Sequence, residues 1–251
     1  MIYIKNKQDI ELMRKACELT KEALYEVGVH IKSGVTTAEL NKVAFDFIKK
    51  HGAIPSFLNY NGYPASICCS VNDVVVHGIP SKEVIKDGDI VSIDIGAYLN
   101  GFHGDCAKTF MVGNVSEKAK KLVEVTRQCF YEGIKYAKAG NRMGDIGNAI
   151  QMYASENGFS VVRDLVGHGI GREMHEDPSV PNYGEKGRGV RLVKGMTLAI
   201  EPMINEGGYK VTTDSDGWTV RTADHSLSSH YENTILITDN EPEILTKVKS
   251  S

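Results

Sequence analysis

Asp94, Asp105, His168, Glu201 and Glu232 are four acids and an imidazole set in stretches that are otherwise apolar or rich in glycine. Ionised carboxylates in such surroundings are costly unless they are paired or bound to a metal. Ile93-Asp94-Ile95 and Ala199-Ile200-Glu201-Pro202 each read as a buried strand that delivers one carboxylate. Together the five carry too much negative charge to gather without cations. Two divalent ions suit them, and the chemistry of such a pair is hydrolysis.

The elements that must position these groups read as occurring twice along the 251 residues. Ile31-Lys32-Ser33-Gly34 and Ala137-Lys138-Ala139-Gly140 each close a helical stretch, 106 residues apart. Amphipathic stretches follow over Thr37 to Lys50 and Met143 to Asn157, ending at Gly52 and Gly158, again 106 apart. Gly88-Asp89-Ile90-Val91-Ser92-Ile93-Asp94 then matches Gly195-Met196-Thr197-Leu198-Ala199-Ile200-Glu201 at an offset of 107. Three matches in order at nearly constant offset favour a duplication. The expected organisation is one catalytic domain, 1–251, of two related halves, approximately 1–112 and 113–251. Facing each other, the halves would bring their equivalent acids to a shared cleft.

Helices are expected over Gln8 to Val27, where Ile10, Met13, Cys17, Leu24 and Val27 make one apolar face, and from the N-cap Ser116 to Ala137. Asp89 to Ala97 and Phe102 to Val112 read as strands joined at Asn100-Gly101, a tight-turn dipeptide. With those two residues as the turn, Asp105 faces Gly96 and Asp94 faces Ala107. The two acids then share one face of the ribbon as diagonal neighbours, about 7–8 Å apart at their backbones. Metals in a shared site sit about 3.5–4 Å apart, within reach from that diagonal. His103 shares the face, where an imidazole two residues from a ligand usually supports rather than ligates.

Among the eight histidines, His30, His51 and His225 have polar neighbours and are expected at the surface. His77 ends the β-branched run Val74-Val75-Val76, and His168 lies between Gly167 and Gly169, where backbone or ligand can come close. His175 follows Met174 seven residues later. The formal net charge of −3 gives no reason to expect nucleic acid or an anionic membrane as partner. Met1-Ile2-Tyr3-Ile4-Lys5 turns charged too early for a signal peptide, and no apolar run approaches the roughly 20 residues of a membrane span. Cys17, Cys68, Cys69, Cys106 and Cys129 are odd in number and have no framework spacing, which points to a reduced, cytoplasmic chain.

Asn59-Tyr60-Asn61-Gly62-Tyr63-Pro64, Val76-His77-Gly78-Ile79-Pro80, Asp94 through Asp105, Gly167-His168-Gly169-Ile170-Gly171, Met174-His175-Glu176, Ala199-Ile200-Glu201-Pro202 and Tyr231-Glu232-Asn233-Thr234 resemble, over essentially the whole chain, the type I methionine aminopeptidases. The resemblance implies the α/β pita-bread fold, two pseudo-symmetric halves with an antiparallel sheet and outer helices. It implies that Asp94 holds one metal, that Asp105 and Glu232 bridge two, and that His168 and Glu201 complete the other. The two divalent ions would be Mn, Fe, Co or Zn, since a carboxylate-rich set suits the first three at least as well as zinc. Glu201 would also move a proton from the attacking water towards the leaving amine. His77 and His175 would contact the scissile amide and stabilise the oxyanion. Phe57, Tyr60, Tyr63, Cys68, Met174 and Trp218 would enclose the methionine side chain, whose thioether packs well on aromatic rings and sulfur.

This chain departs from the family pattern in four places. Met174 stands where many relatives have phenylalanine, Phe57 where some have cysteine, Cys106 where Thr or Ser is usual, and His230 where Gln is frequent. Strand alternation turns Cys106 away from the acids and His230 towards them. The expected activity is removal of the initiator methionine from nascent polypeptides near the ribosome, with a small second residue preferred, by a monomer that takes no nucleic acid as substrate. The chain's own Ile2 is large, so its Met1 is expected to stay. Two other readings share the fold. A prolidase or aminopeptidase P would usually add an N-terminal domain, for which Met1 to Lys7 leaves no room. A metal-free pita-bread binding module would have lost ligands that are all present. The stretch from His168 to Glu201 also lacks the long insertion of type II enzymes.

Overall fold

The computed structural model describes residues 1–247, so residues 248–251 at the end of the expected second half lie outside that description. Among the described residues four α-helices form, α1 (Lys7–His30), α2 (Thr37–Lys50), α3 (Glu117–Ile134) and α4 (Met143–Glu156). Capping chemistry sets their starts. Asn6 and Asp9 exchange side-chain-to-backbone bonds at α1, Thr36 and Glu39 do the same at α2, and Ser116 accepts from the Ala119 amide at 3.1 Å. The last expected turn of α3 does not form. The amides of Tyr136 and Ala137 bond three residues back at 3.0 Å, and Ala139 then donates to Thr238 on a neighbouring segment. Pairing with that segment wins over helical continuation.

Fifteen strands complete the description. In the first half they are β1 (Ile54–Pro55), β2 (Ile67–Val71), β3 (Val74–Val76), β4 (Ile90–Leu99) and β5 (Phe102–Met111). After α4 come β6 (Ser160–Val161), β7 (Gly167–Gly169), β8 (Glu176–Val180), β9 (Thr197–Ile200) and β10 (Met203–Asn205). The last are β11 (Val211–Thr213), β12 (Val220–Thr222), β13 (Ser228–His230), β14 (Glu232–Leu236) and β15 (Glu243–Ile244). The main antiparallel sheet runs β1-β4-β5-β14-β9-β7-β8, with β2 also on β4 and β15 on β14. Two small sheets, β13-β10-β6 and β11-β12-β3, lie beside it.

The β4–β5 hairpin has the expected register, Asp94 opposite Ala107 and Gly96 opposite Asp105. Asn100 and Gly101 both have positive φ, 55° and 87°, as a twist-matched two-residue turn requires. Helices cover one face of the main sheet. Leu24, Val27, Leu40, Ala44 and Ile48 of α1 and α2 pack with Ile93, Ile95 and Cys106, so Cys106 does point away from the acids. Leu122, Cys129, Phe130, Ile146 and Ile150 of α3 and α4 pack with Leu198, Ile200 and Ile235. The opposite face is left for the acids. Helix α1 crosses β5 so closely that a Cβ on Gly104 would lie 2.8 Å from the Cys17 Cα. A glycine is needed there, immediately before Asp105.

Candidate metal centre and cleft

Strand alternation and two central pairings bring the acids together. Ala107 on β5 pairs with Asp94 on one side and with Glu232 on the other, and Asp105 is two residues along β5 on the same face. The small Ala107 leaves room between them. On the far strands, His168 pairs with Ala199, and Glu201 follows two residues later. All five residues line one cavity of about 450 Å³.

Glycines on both sides let β7 carry His168 deep into the sheet. A Cβ on Gly167 would meet the Ala199 carbonyl at 2.4 Å, and one on Gly169 the Asp177 carbonyl at 2.3 Å. The His168 Nδ1–H donates to the Gly169 carbonyl at 2.9 Å, which leaves the Nε2 lone pair facing the acids. Nε2 lies 3.7 Å from Asp105 Oδ2 and 3.7 Å from Glu201 Oε1. His230 does the same from the other side, its Nε2 3.6 Å from Glu201 Oε2 and 3.8 Å from Glu232 Oε2. These separations are too long for hydrogen bonds and fit atoms that share an ion at about 2.1 Å each. Two groups therefore have metal-holding geometry, Asp105–His168–Glu232 and Glu201–His230–Glu232, each with its ligand atoms within 4.8 Å of one another. Glu232 belongs to both.

Asp94 Oδ1, Asp105 Oδ1, Glu232 Oε1 and His230 Nε2 are buried with no hydrogen-bond partner. Leaving a buried polar atom unpaired costs about 1–3 kcal/mol, more for a charged group. Four such atoms converging on one place is the signature of a site built for cations, and the donor set fits divalent ions. Burial pushes the Asp94 carboxyl up to about 7. Burial, then the Asp94 and Glu201 charges, push Asp105 well above the carboxylate range; burial, then the Asp105 charge, does so for Glu232, and burial followed by the Asp94 charge for Glu201. Burial holds His168 and His230 down to about 3, so both imidazoles are neutral and free to ligate.

Above the acids the cavity is walled by Phe57, Tyr60, Tyr63, Cys68, Met174, Trp218, His77 and His175. The Trp218 ring meets Tyr63 edge-on at 5.2 Å and His77 at 6.4 Å. The pairing of Val76 with Val220 brings His77 and Trp218 to the same wall. His77 has φ 59°, a left-handed conformation that costs a non-glycine residue about 1–3 kcal/mol. The next residue holds it there. The Gly78 carbonyl accepts from the Tyr63 hydroxyl at 3.0 Å and the Cys69 amide at 2.9 Å. Burial pushes His77 down to about 4, so it is neutral near pH 7. His175 bonds through Nδ1 to the Tyr60 hydroxyl at 2.8 Å and its ring lies 4.1 Å from that of His168.

His103 stays outside the cavity lining, bonded through Nδ1 to the Ser56 hydroxyl at 2.9 Å. His30, His51 and His225 are exposed, as expected. The sequence reading missed Asn61, Val76, Leu165, Val166 and Met203, which also line the cavity. Leu165-Val166 directly precedes Gly167-His168, a proximity that offered a signal. Met203 offered none, because its place depends on how β10 pairs.

An antiparallel sheet backed by helix pairs, with clustered carboxylates and imidazoles on its open face, defines a metal-dependent hydrolase. The model of metallopeptidase family M24 matches residues 11–239. The chain is 57% identical over 249 residues to the methionine aminopeptidase of Clostridium perfringens (99% of this chain, 100% of the relative). It superposes on the methionine aminopeptidase from Thermotoga maritima with a TM-score of 0.97 and 50% identity (98% of this chain, 100% of that one). The prolidase from Pyrococcus horikoshii is more distant, with a TM-score of 0.79 and 26% identity (99% of this chain, only 64% of that one). The chain belongs to the type I methionine aminopeptidases, metal-dependent exopeptidases of the pita-bread fold. Among the described residues no helix is long and apolar enough to cross a membrane.

Proposed function

We propose that the chain removes the initiator methionine from nascent polypeptides near the ribosome, in the cytoplasm and as a monomer, preferring a small second residue. The observation that carries this reading is the set of unpaired buried carboxylate oxygens directly beneath an aromatic, sulfur-lined pocket. Asp94 would hold one ion, Asp105 and Glu232 would bridge two, and His168 with Glu201 would complete the second. When bound, such ions polarise a carbonyl and acidify a water enough for attack near neutral pH. Glu201 would carry a proton from the attacking water towards the leaving amine. The neutral His77 and His175 donate hydrogen bonds to the scissile amide and the oxyanion that develops from it. Phe57, Tyr60, Tyr63, Cys68, Met174 and Trp218 take the thioether. Val76, Leu165 and Met203 belong to a separate apolar cluster on the cavity wall, which supports a small second residue.

The same proposal takes 1–251 as one catalytic domain of two related halves, 1–112 and 113–251. Corresponding glycines have matching backbone angles: Gly34 and Gly140 at φ 94° and 97°, Gly52 and Gly158 at 74° and 84°, Gly88 and Gly195 at 91° and 90°. The run β4-β5-β14-β9 also carries one acid-bearing pair from each half, joined at the middle. The deciding experiment compares Met-Ala-Ser with Ala-Pro-Ala as substrates, after chelation and then with Mn, Co, Fe or Zn restored. Cleavage of the first peptide, lost on chelation and regained with metal, is expected. Cleavage of the second alone, or activity indifferent to exhaustive chelation, would overturn the proposal.

A further inference from the structure

Lys5 is a buried lysine far from the acids in sequence, and nothing in the reaction described so far uses it. Its ammonium forms an ion pair with Glu176, and the two side chains are only 5% and 4% exposed. Removing one partner of such a pair is strongly destabilising, which makes the pair a rigid joint rather than a loose surface contact. The Glu176 carboxylate is bound on both oxygens. Oε2 takes Lys5, while Oε1 accepts from the Arg172 amide at 2.9 Å and from the Glu173 amide at 3.4 Å. The loop closed in this way, Arg172 to Glu176, contains Met174 and His175. The Gly171 backbone packs directly on the joint, since a Cβ there would lie 2.5 Å from both Glu176 Oε1 and Lys5 Cε.

The other end of the joint is also anchored. The Lys5 amide donates to the Gly195 carbonyl at 2.9 Å, and Asn6, the next residue, caps α1. Arg172 reaches Asp9, in the first turn of α1, at 3.0 Å. On the cleft side, the His103 amide donates to the Gly171 carbonyl at 2.8 Å. Among the described residues, the His175 side chain is held only by the Tyr60 hydroxyl and by ring contacts. The orientation of its imidazole therefore depends on where the loop sits.

We propose that Lys5 is a positioning residue for His175, acting through Glu176 to fix the 172–176 loop, so that the segment before α1 is part of the working site. This rests on the reading that His175 touches the substrate amide. The test is a mutant cycle with Lys5→Met, His175→Ala and the double variant, following kcat, KM and calorimetric Mn affinity. Misplacing a contacting group by about 1 Å can cost on the order of 100-fold, so Lys5→Met is expected to lower kcat by roughly 10- to 100-fold. KM and Mn affinity should change by less than about threefold, because the loop supplies no proposed metal ligand. In the His175→Ala background Lys5→Met should cost nothing further. Equal losses in both backgrounds, or a folded Lys5→Met enzyme with unchanged kcat, would overturn the proposal. An unchanged kcat for His175→Ala alone would instead remove the role of His175 on which the proposal rests. Should Lys5→Met fail to fold, Lys5→Met/Glu176→Gln, which leaves no buried charge and keeps an acceptor for the Arg172 amide, decides on the same readouts.

Discussion

Gly104→Ala tests whether the closeness of α1 to the acid-bearing hairpin is what sets the site. A Cβ at this position would lie 2.7 Å from Thr20 Oγ1, 2.8 Å from Cys17 Cα and 2.9 Å from Cys17 N. Non-bonded carbons settle at about 3.5–4.0 Å, so one of the two elements must retreat by about 1 Å. Neither has an easy way to do so. Two of the three atoms are helix backbone, and the Thr20 hydroxyl is committed to the Ala16 carbonyl at 2.8 Å. Moving α1 as a body would loosen Met13, Ala16, Cys17, Ala23, Leu24 and Val27, all buried. Overpacking costs about 1–3 kcal/mol, and rigid backbone on the receiving side puts this case near 3. For a domain of this size that is a fall in Tm of roughly 6–12 °C. The adjoining Asp105 moves with the hairpin, so kcat should fall by about tenfold or more. The assays are thermal unfolding with saturating metal and turnover of a Met-Ala-Ser peptide. Gly140→Ala is the control: its φ is 97° with nothing within 4 Å, so it should lose stability by backbone strain alone and keep its kcat. A Gly104→Ala enzyme melting within about 2 °C of wild type with normal turnover would refute the reasoning.

Two further outcomes are expected. His77, His168 and His230 are neutral in the folded chelated protein, and above about pH 7 an unfolded chain has given up most of its imidazole protons, so the carboxyls dominate the pH dependence there. Asp94, pushed up to about 7, and Asp105, Glu201 and Glu232, pushed higher, keep protons that the unfolded chain has lost, so stability falls as pH rises. Each carboxyl still protonated contributes about 1.4 kcal/mol per pH unit; a chelated enzyme whose Tm is flat or rising between about pH 7 and 8.5 would contradict this. Trp218→Ala removes an aromatic wall of the thioether pocket and should lower kcat/KM for methionyl peptides by about 10- to 100-fold, mostly through KM. Steady-state kinetics showing a loss confined to kcat would place Trp218 elsewhere in the mechanism.

Much of the site was legible because its chemistry conflicts with its surroundings. An aspartate between two isoleucines, or a histidine between two glycines, stands out in one dimension. The hairpin was legible for a local reason: Asn100-Gly101 specifies a two-residue turn, and a two-residue turn fixes every pairing from Leu99–Phe102 back to Ile90–Met111. Other parts had no local signal. Met203 is an ordinary apolar residue until β10 pairs with β6 and β13. Lys5 reads as a solvated lysine, and only the loop that returns 171 residues later buries it against Glu176.

The sequence by itself determined which groups could bind cations, the face of the ribbon that Asp94 and Asp105 share, and the offset that relates the two helix pairs. Alternation, turn geometry and periodicity are local physics, and they propagate along the chain without reference to distant residues. The tertiary structure alone decided that β5 and β14 meet at the centre, placing Glu232 beside Ala107, between the Asp105 strand and the strand that leads to Glu201. It also decided that His230 reaches the second oxygens of Glu201 and Glu232, and that the segment before α1 braces the loop bearing His175. The first and last of those contacts join residues more than a hundred positions apart, and all of them exist only once burial of the two helix-covered faces has closed the sheet around its charged one.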